Sequence, residues 1–184
     1  MPDDLASGEN PFTLIPDADH VYLSDSYLET FSLLHEGILE GKRLLLLIAE
    51  SGVGKTILLR ELKQRLDTMA RTAFLSVSGY DPHEQMRRIL GALGVDVVVQ
   101  DLASMRRLLT EILEVECGGE RRFVLIMDDA QALPESSIET LRQLCDSETP
   151  GAKQTQIVLA GQPQLLEKIR RLDMELPLGK LCTS

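Results

Sequence analysis

The chain has 184 residues, 43% of them hydrophobic, which is enough to form one globular domain with a buried core. Its formal net charge of -10 argues against non-specific nucleic-acid binding over the whole surface. No signal peptide and no apolar run long enough to span a bilayer is present, and the three cysteines lack metal-ligand spacing. We therefore expect a reduced, cytoplasmic protein without a membrane span.

The beginning of the chain, residues 1–25, is expected to form an extended segment. Pro11 and Pro16 restrict the backbone there, and the apolar residues between them could lie against the main domain and close over a nucleotide base. A helix is predicted to follow, because Ser26 and Glu29 have the spacing of a capping box ahead of an apolar stripe.

A phosphate-binding loop is predicted after the first strand. That strand, Leu44–Ile48, is continuously apolar, as expected of a strand buried on both faces. The next residues read AESGVGKT, a Walker A motif in which Ala49 replaces the usual glycine. The competing interpretation is a simple glycine-rich turn, which the GKT ending and the flanking strand and helix disfavour.

Each part of this loop has a predicted task. Its glycines let backbone N–H groups point at phosphate oxygens, at the positive end of the following helix. Lys55 would reach the β- and γ-phosphates of ATP, and the Thr56 hydroxyl would hold Mg²⁺. The predicted nucleotide-binding residues are Glu50, Ser51, Gly52, Val53, Gly54, Lys55, Thr56 and Ile57.

Strands and helices alternate through the rest of the chain. Further strands are predicted at Thr72–Val77, Phe123–Met127 and Gln156–Ala160, and helices at 55–67, 81–94, 101–116, from 134, and at 163–172. The alternation predicts an α/β fold with a mainly parallel sheet and right-handed crossovers. Ligand chemistry is then expected at the carboxyl ends of the strands. With the phosphate-binding loop, this is the three-layer sandwich of a P-loop NTPase.

Two adjacent acids follow the third strand, as in a Walker B motif. Asp128 is expected to hold Mg²⁺ opposite the Thr56 hydroxyl. One further strand lies in sequence between the two Walker strands, as in the ASCE branch of ATPases, which polarises water with a second acid. Asp129 is the candidate for that acid and would act as the general base. The competing interpretation of the two acids is a capped loop.

Two glutamines lie near the same strand ends. Gln162 follows the fourth strand and could contact the γ-phosphate or the attacking water, as a catalytic sensor; a plain helix-start residue is equally compatible with its position. Gln131 lies just behind the two acids and could support them, although an ordinary surface role is favoured. Basic doublets such as Arg87-Arg88 leave a local nucleic-acid contact open.

Taken together, these motifs resemble the AAA+ ATPases of the general secretion pathway protein A type, also called ExeA-like. The resemblance covers about residues 10–172 and rests on a set of short motifs: NPFTLIPD at 10–17, AESGVGKT at 49–56, LIMDDAQ at 125–131 and QIVLAGQP at 156–163. It implies an AAA+ core at residues 26–172 that binds and hydrolyses ATP with Mg²⁺ and serves assembly of a secretion or envelope system. It also implies assembly with copies of itself, a partner ATPase or a secretion component.

The sequence departs from this family in two places. The family usually has Glu where Asp129 stands, which draws the carboxylate back by about one C–C bond, roughly 1.5 Å. The helical lid is expected to be absent, because residues 173–184 form only a short tail in which 174–179 could supply a shortened fifth strand. The family also has an arginine that reaches into a neighbouring site; Arg170 and Arg171 lie near its expected position, and neither is assigned to that role. A non-hydrolysing ATP switch or a transposition-regulator-type ATPase is therefore the alternative, and a small-molecule kinase is disfavoured.

Overall fold

The computed structural model describes residues 25–98, 101–116, 122–146, 155–172 and 180–182, in which helices and strands alternate along the chain. The helices are α1 (Asp25–Leu39), α2 (Lys55–Leu66), α3 (Pro82–Ala92), α4 (Leu102–Glu116), α5 (Glu135–Asp146) and α6 (Pro163–Arg171). The strands are β1 (Leu44–Ile48), β2 (Ala70–Ser76), β3 (Arg122–Asp128), β4 (Thr155–Gly161) and β5 (Lys180–Cys182). A single 3-10 turn, Ala130–Ala132, follows β3.

The strands form one parallel sheet in the order β2-β3-β4-β1-β5. The strand that precedes the P-loop, β1, is therefore separated from β3 by β4, while β2 lies at the edge beside β3. Ile48 pairs with Gly161, so β1 and β4 end at the same level. The α/β fold with a parallel sheet that the sequence predicts is confirmed.

Helices cover both faces of this sheet. Because successive side chains of a strand point to opposite faces, Leu45 and Leu47 pack with α1 and α2, whereas Leu44 and Leu46 pack with α3, α4, α5 and α6. All residues of β1 and β4 are buried, which explains why their sequences are almost continuously apolar. Burial of each of these leucines stabilises the fold by about 1.5–3 kcal/mol relative to leaving the side chain exposed. The result is the predicted three-layer sandwich.

Several helix and strand ends differ from the prediction. The Ser26 capping box is wrong, because α1 begins at Asp25 and Ser26 lies inside its first turn. β2 begins at Ala70 rather than Thr72, since the strand starts almost directly after α2. In contrast, the helix predicted at 81–94 is found close to its expected place: Asp81 caps α3 and Pro82 is its first residue.

Some predictions fall on residues outside the described parts of the chain. These are the extended segment before residue 25 with its suggested closure over a base, and the fifth strand expected at 174–179. The fifth strand that the structure contains is Lys180–Cys182, which extends the sheet beside β1. Within the described residues, no helix has the length and apolarity needed to cross a bilayer.

Candidate functional site

The predicted P-loop turns at the end of β1 and leads directly into α2. Gly52 and Gly54 have φ values of +83° and +87°, in the left-handed region that glycine adopts without strain. The loop is joined to the neighbouring strand because the Ala49 N–H donates to the Gly161 carbonyl at 3.1 Å. Glu50, Ser51 and Val53 are exposed along the loop, as are Gly52 and, one turn into α2, Ile57.

The amino end of α2 is free to accept an anion. Gly54 is the N-cap and provides no side chain to bond the first N–H groups of the helix. These groups have no partner within the helix itself and carry the positive end of its dipole. A phosphate bound in the loop would therefore meet both backbone donors and a favourable field.

Lys55 folds back over this loop. Lys55 is only 9% exposed, and its Nζ donates to the carbonyl oxygens of Ala49 at 2.9 Å and Glu50 at 2.6 Å. Both acceptors are uncharged, so the ammonium group is hydrogen-bonded at the mouth of the loop by dipoles. An anionic phosphate in the loop would be a stronger partner for it than either carbonyl.

Thr56 and Asp128 meet where β1 and β3 open into their loops. The Thr56 hydroxyl donates to Asp128 Oδ2 at 2.5 Å. Asp128 is only 2% exposed, and its Oδ1 accepts the N–H of Asp129 at 2.9 Å. A buried carboxylate beside a hydroxyl is the donor set that Mg²⁺ shares with phosphate oxygens and water in nucleotide sites.

A metal site built from protein side chains alone does not occur in the described residues. No group of three or more His, Cys, Asp or Glu residues there could hold an ion. In nucleotide sites Mg²⁺ is usually held by one or two protein oxygens together with substrate phosphates. Thr56 and Asp128 are thus the residues that could hold it, in company with a nucleotide.

Asp129 is held in an unusual backbone conformation. Its φ is +56°, the one positive value among non-glycine residues of the described chain, and its side chain is exposed. Aspartate tolerates this region better than most residues, yet such strain is typically retained where a side chain must point in a particular direction. Asp129 Oδ1 accepts a hydrogen bond from Gln131 Nε2 at 3.2 Å.

Gln162 stands at the carboxyl end of β4, between the P-loop and the acidic pair. It is the N-cap of α6, but its side chain makes no capping hydrogen bond and is half-buried. Its backbone N–H donates to Gln131 Oε1 at 3.2 Å. The side-chain amide of Gln162 is therefore not used in starting its own helix and can meet a ligand.

Two residues contribute more to this site than the sequence indicated. Gln131 contacts both Asp129 and Gln162, although its sequence position favoured a surface role. Lys168 of α6 donates to the carbonyls of Gln131 and Leu133, each at 2.7 Å. No sequence signal could reveal the lysine contact, because a lysine on an amphipathic helix usually extends into solvent.

The parallel sheet with a glycine loop after β1 and an acidic pair after β3 has the architecture of the P-loop NTPases. A family profile described as an AAA domain matches residues 34–169. The chain belongs to this AAA domain family.

A curated relative agrees with that assignment. General secretion pathway protein A of Aeromonas hydrophila is 30% identical over 168 residues, which cover 89% of this chain and 30% of that protein. This confirms the resemblance drawn from the motifs. The chain spans less than a third of the length of this relative.

The solved structures bear on the fold. Cdc6p from Pyrobaculum aerophilum has a TM-score of 0.68 at 19% identity, over 85% of this chain and 44% of that chain. The Aeropyrum pernix ORC2 protein, solved in ADPNP-ADP complexes, has a TM-score of 0.60 at 16% identity, over 84% of this chain and 46% of that chain. At such identities the likeness concerns the fold alone.

Proposed function

We propose that this chain binds ATP with Mg²⁺ and hydrolyses it, as an AAA+ core. The observation that carries the proposal is the 2.5 Å contact between the Thr56 hydroxyl and the buried Asp128 carboxylate, beside a P-loop that opens on the amino end of α2. Family membership over residues 34–169 supports it independently.

Phosphate binding falls to the loop and the start of α2, residues 50–57. The N–H groups there would hold the phosphates of the nucleotide, and the exposed side chains of the loop would flank them. Lys55 would exchange its carbonyl partners for the β- and γ-phosphates. The nucleotide thereby gains a charge-assisted contact that the free protein lacks.

Metal binding falls to Thr56 and Asp128, which are already adjacent in the free protein. When bound, Mg²⁺ neutralises the charge that develops on the phosphates during their hydrolysis. Asp128 would carry the negative charge opposite the ion, and burial protects that charge from screening by water. The Thr56 hydroxyl would turn a lone pair to the metal, giving up its present bond to the carboxylate.

Hydrolysis falls to Asp129 and Gln162. The exposed Asp129 carboxylate, next in sequence to Asp128, would orient and deprotonate the attacking water. Gln162 would contact the γ-phosphate or that water, and this contact would change once the γ-phosphate has been cleaved off. The shorter side chain of aspartate, compared with the usual glutamate, makes us expect a slow rate, because misplacement of about 1 Å can lower rates on the order of a hundredfold.

The proposed biological setting is assembly of a secretion or envelope system. Its support is the 30% identity to General secretion pathway protein A, of which this chain spans a limited part. We propose residues 26–172 as the ATPase core, flanked by 1–25 and 173–184. Because ATP is the proposed substrate, we propose that the chain acts in the cytoplasm. We also expect it to assemble with copies of itself or with a partner component. Nucleic acid is not favoured, given the net charge of -10.

A non-hydrolysing ATP-dependent switch is the second candidate, and a transposition-regulator-type ATPase would use the same core. One observation favours the switch: Asp129 stands where the family usually has glutamate, so its carboxylate is drawn back by about one C–C bond, roughly 1.5 Å. A base drawn back in this way would be a poor activator of water. ATP binding alone would then produce the change that a partner recognises.

Binding of a fluorescent ATP analogue tests the part that both candidates share. Wild type should bind in Mg²⁺ and lose affinity when EDTA removes the ion, whereas Lys55→Ala should bind more weakly than wild type in both conditions. The matched control is Lys63→Ala, because Lys63 lies on the same helix and pairs with Asp67 at the surface. Equal affinity of wild type and Lys55→Ala would overturn the proposal.

A further inference from the structure

Gln131 connects two residues that have proposed parts in hydrolysis. It lies in the 3-10 turn that follows β3, and its amide is used at both ends. Nε2 donates to Asp129 Oδ1 and Oε1 accepts the backbone N–H of Gln162, each at 3.2 Å. The end of β3 is thus joined through one side chain to the beginning of α6.

The chemistry of the contacts fixes which way this amide faces. If oxygen and nitrogen were exchanged, the oxygen would meet the Asp129 carboxylate and the NH₂ group would meet the Gln162 N–H. The first contact would then pair two acceptors and the second would pair two donors, so neither would be a hydrogen bond. Only the present orientation satisfies both neighbours, so the amide has one stable direction.

The surroundings hold Gln131 tightly in this place. Gly161 has no side chain, and a Cβ atom there would lie 2.7 Å from Gln131 Oε1 and 3.2 Å from its backbone nitrogen. Lys168 Nζ donates to the Gln131 carbonyl at 2.7 Å and to the Leu133 carbonyl at the same distance. The 3-10 turn is therefore clamped against α6 from two directions, and Gln131 is half-buried between them.

We infer that Gln131 is a positioning residue that fixes the direction of the Asp129 carboxylate relative to the start of α6. The inference rests on the proposed hydrolytic function, in which Asp129 acts on water. Because the same amide holds the Gln162 N–H, a ligand that draws Gln162 toward the phosphates also pulls on the group that holds Asp129. Gln131 thereby couples the binding of a ligand by Gln162, at the end of β4, to the position of the Asp129 carboxylate, at the end of β3.

Two substitutions of Gln131 disturb its hydrogen bonds in different ways. Gln131→Met keeps the length of the side chain and removes both hydrogen bonds. Gln131→Glu keeps an acceptor for the Gln162 N–H but sets a carboxylate against Asp129. The matched control is Gln164→Met, because Gln164 is exposed on α6. Both Gln131 variants should leave the KM for ATP within about twofold of wild type and lower kcat by about 10- to 100-fold.

A double-mutant comparison asks whether Gln131 acts through Asp129. In single-turnover experiments with excess enzyme, Gln131→Met should lower the residual rate of the Asp129→Asn protein by less than about twofold, since the group that it positions is already lost. A full additional loss in that background, or a loss expressed in KM with kcat unchanged, overturns the inference.

A second readout is independent of catalysis. The side-chain amide signal of Gln131 in a ¹H–¹⁵N spectrum of the nucleotide-free protein can be assigned by its disappearance in Gln131→Met. It should shift on Asp129→Asn and stay unchanged in Gln164→Met. If wild type hydrolyses ATP but the chemical shift of this amide is unchanged in Asp129→Asn, only the inference about Gln131 is overturned. If wild type never releases phosphate, the inference falls together with the proposed hydrolysis.

Discussion

The Thr56 hydroxyl and the Asp128 carboxylate are separated by 72 positions in the sequence and by 2.5 Å in space. Their contact joins the helix that begins at the P-loop to the end of β3, across the end of the intervening β4. The parallel sheet makes the contact possible, because all its strands end at the same edge. Two motifs recognised separately in the sequence are thereby brought into one site.

Removal of the Thr56 hydroxyl should weaken binding of Mg²⁺-ATP. We expect Thr56→Ala to lower affinity in Mg²⁺ by about tenfold, the worth of one charge-assisted contact, and to have little effect in EDTA. Thr56→Ser keeps the hydroxyl and should bind as wild type does. Calorimetric titration with and without the ion measures both effects. Unaltered Mg²⁺ dependence in Thr56→Ala would exclude Thr56 as a ligand.

Loss of the Lys55 ammonium should lower nucleotide affinity more strongly. Hydrogen bonds to charged groups contribute about 1.5–3 kcal/mol, so Lys55→Ala should bind ATP on the order of 10- to 100-fold more weakly than wild type. Fluorescence titration is suitable for this comparison. Lys63→Ala should match wild type, and an equal loss in that variant would point to a general effect of charge.

A methyl group at residue 161 should disturb the site and the fold together. The Cβ of Gly161→Ala would lie 2.7 Å from Gln131 Oε1 and 2.9 Å from Leu165 Cδ2, so these groups must move. Overpacking of this kind costs about 1–3 kcal/mol in the free energy of unfolding. Urea denaturation measures the loss, and kcat should fall with it.

Another glycine supplies the control for that experiment. Gly91 lies within α3 with no atom near the position of a new Cβ. Gly91→Ala should therefore stabilise the protein by about 0.5–1 kcal/mol, through the better helix propensity of alanine. If both alanine variants change stability in the same direction, the close approach at Gly161 is not the cause.

The Asp81 cap of α3 should make stability depend on pH. Asp81 Oδ1 accepts the N–H groups of Glu84 and His83, both at 2.9 Å, and these bonds lower the pKa of the carboxyl below its usual 3.8. A lowered folded-state pKa gives stability that is present above the usual value and is lost as pH falls through the folded one. Wild type should therefore be more stable than Asp81→Ala at neutral pH.

Urea midpoints measured between neutral pH and pH 3 check this expectation. The difference between wild type and Asp81→Ala should hold above pH 3.8 and shrink as the pH falls below it. A difference that does not change with pH would mean that the charged carboxylate is not the stabilising form.

The sequence was sufficient for the fold, and it indicated Thr56 and Asp128, which the structure brings into contact, because those features have local signals. Apolar runs mark β1 and β3, and the P-loop and the acidic pair follow them directly. Strand and helix ends were less predictable. Ser26 is of a residue type that often caps helices, but its neighbours also favour helix, and α1 begins before it. Such choices depend on small differences in free energy at a helix end.

The contacts of Gln131 and Lys168 could not be predicted from sequence. Both depend on the distance between the 3-10 turn and α6, which the whole sheet determines. The left-handed backbone of Asp129 also has no local signal in the sequence. Sequence indicated the chemical groups of the site, and tertiary packing decided which of them touch.

Steady-state release of phosphate from ATP and Mg²⁺ is the most direct test of the central claim, with wild type compared to Asp129→Asn over a range of protein concentrations. Asparagine accepts the left-handed backbone as readily as aspartate does, so the variant removes the carboxylate charge and keeps the turn. We predict that wild type turns over, at a rate per chain that rises with concentration, while Asp129→Asn binds ATP and releases almost no phosphate. ATP binding without phosphate release by either protein at any concentration would contradict hydrolysis and leave the binding switch.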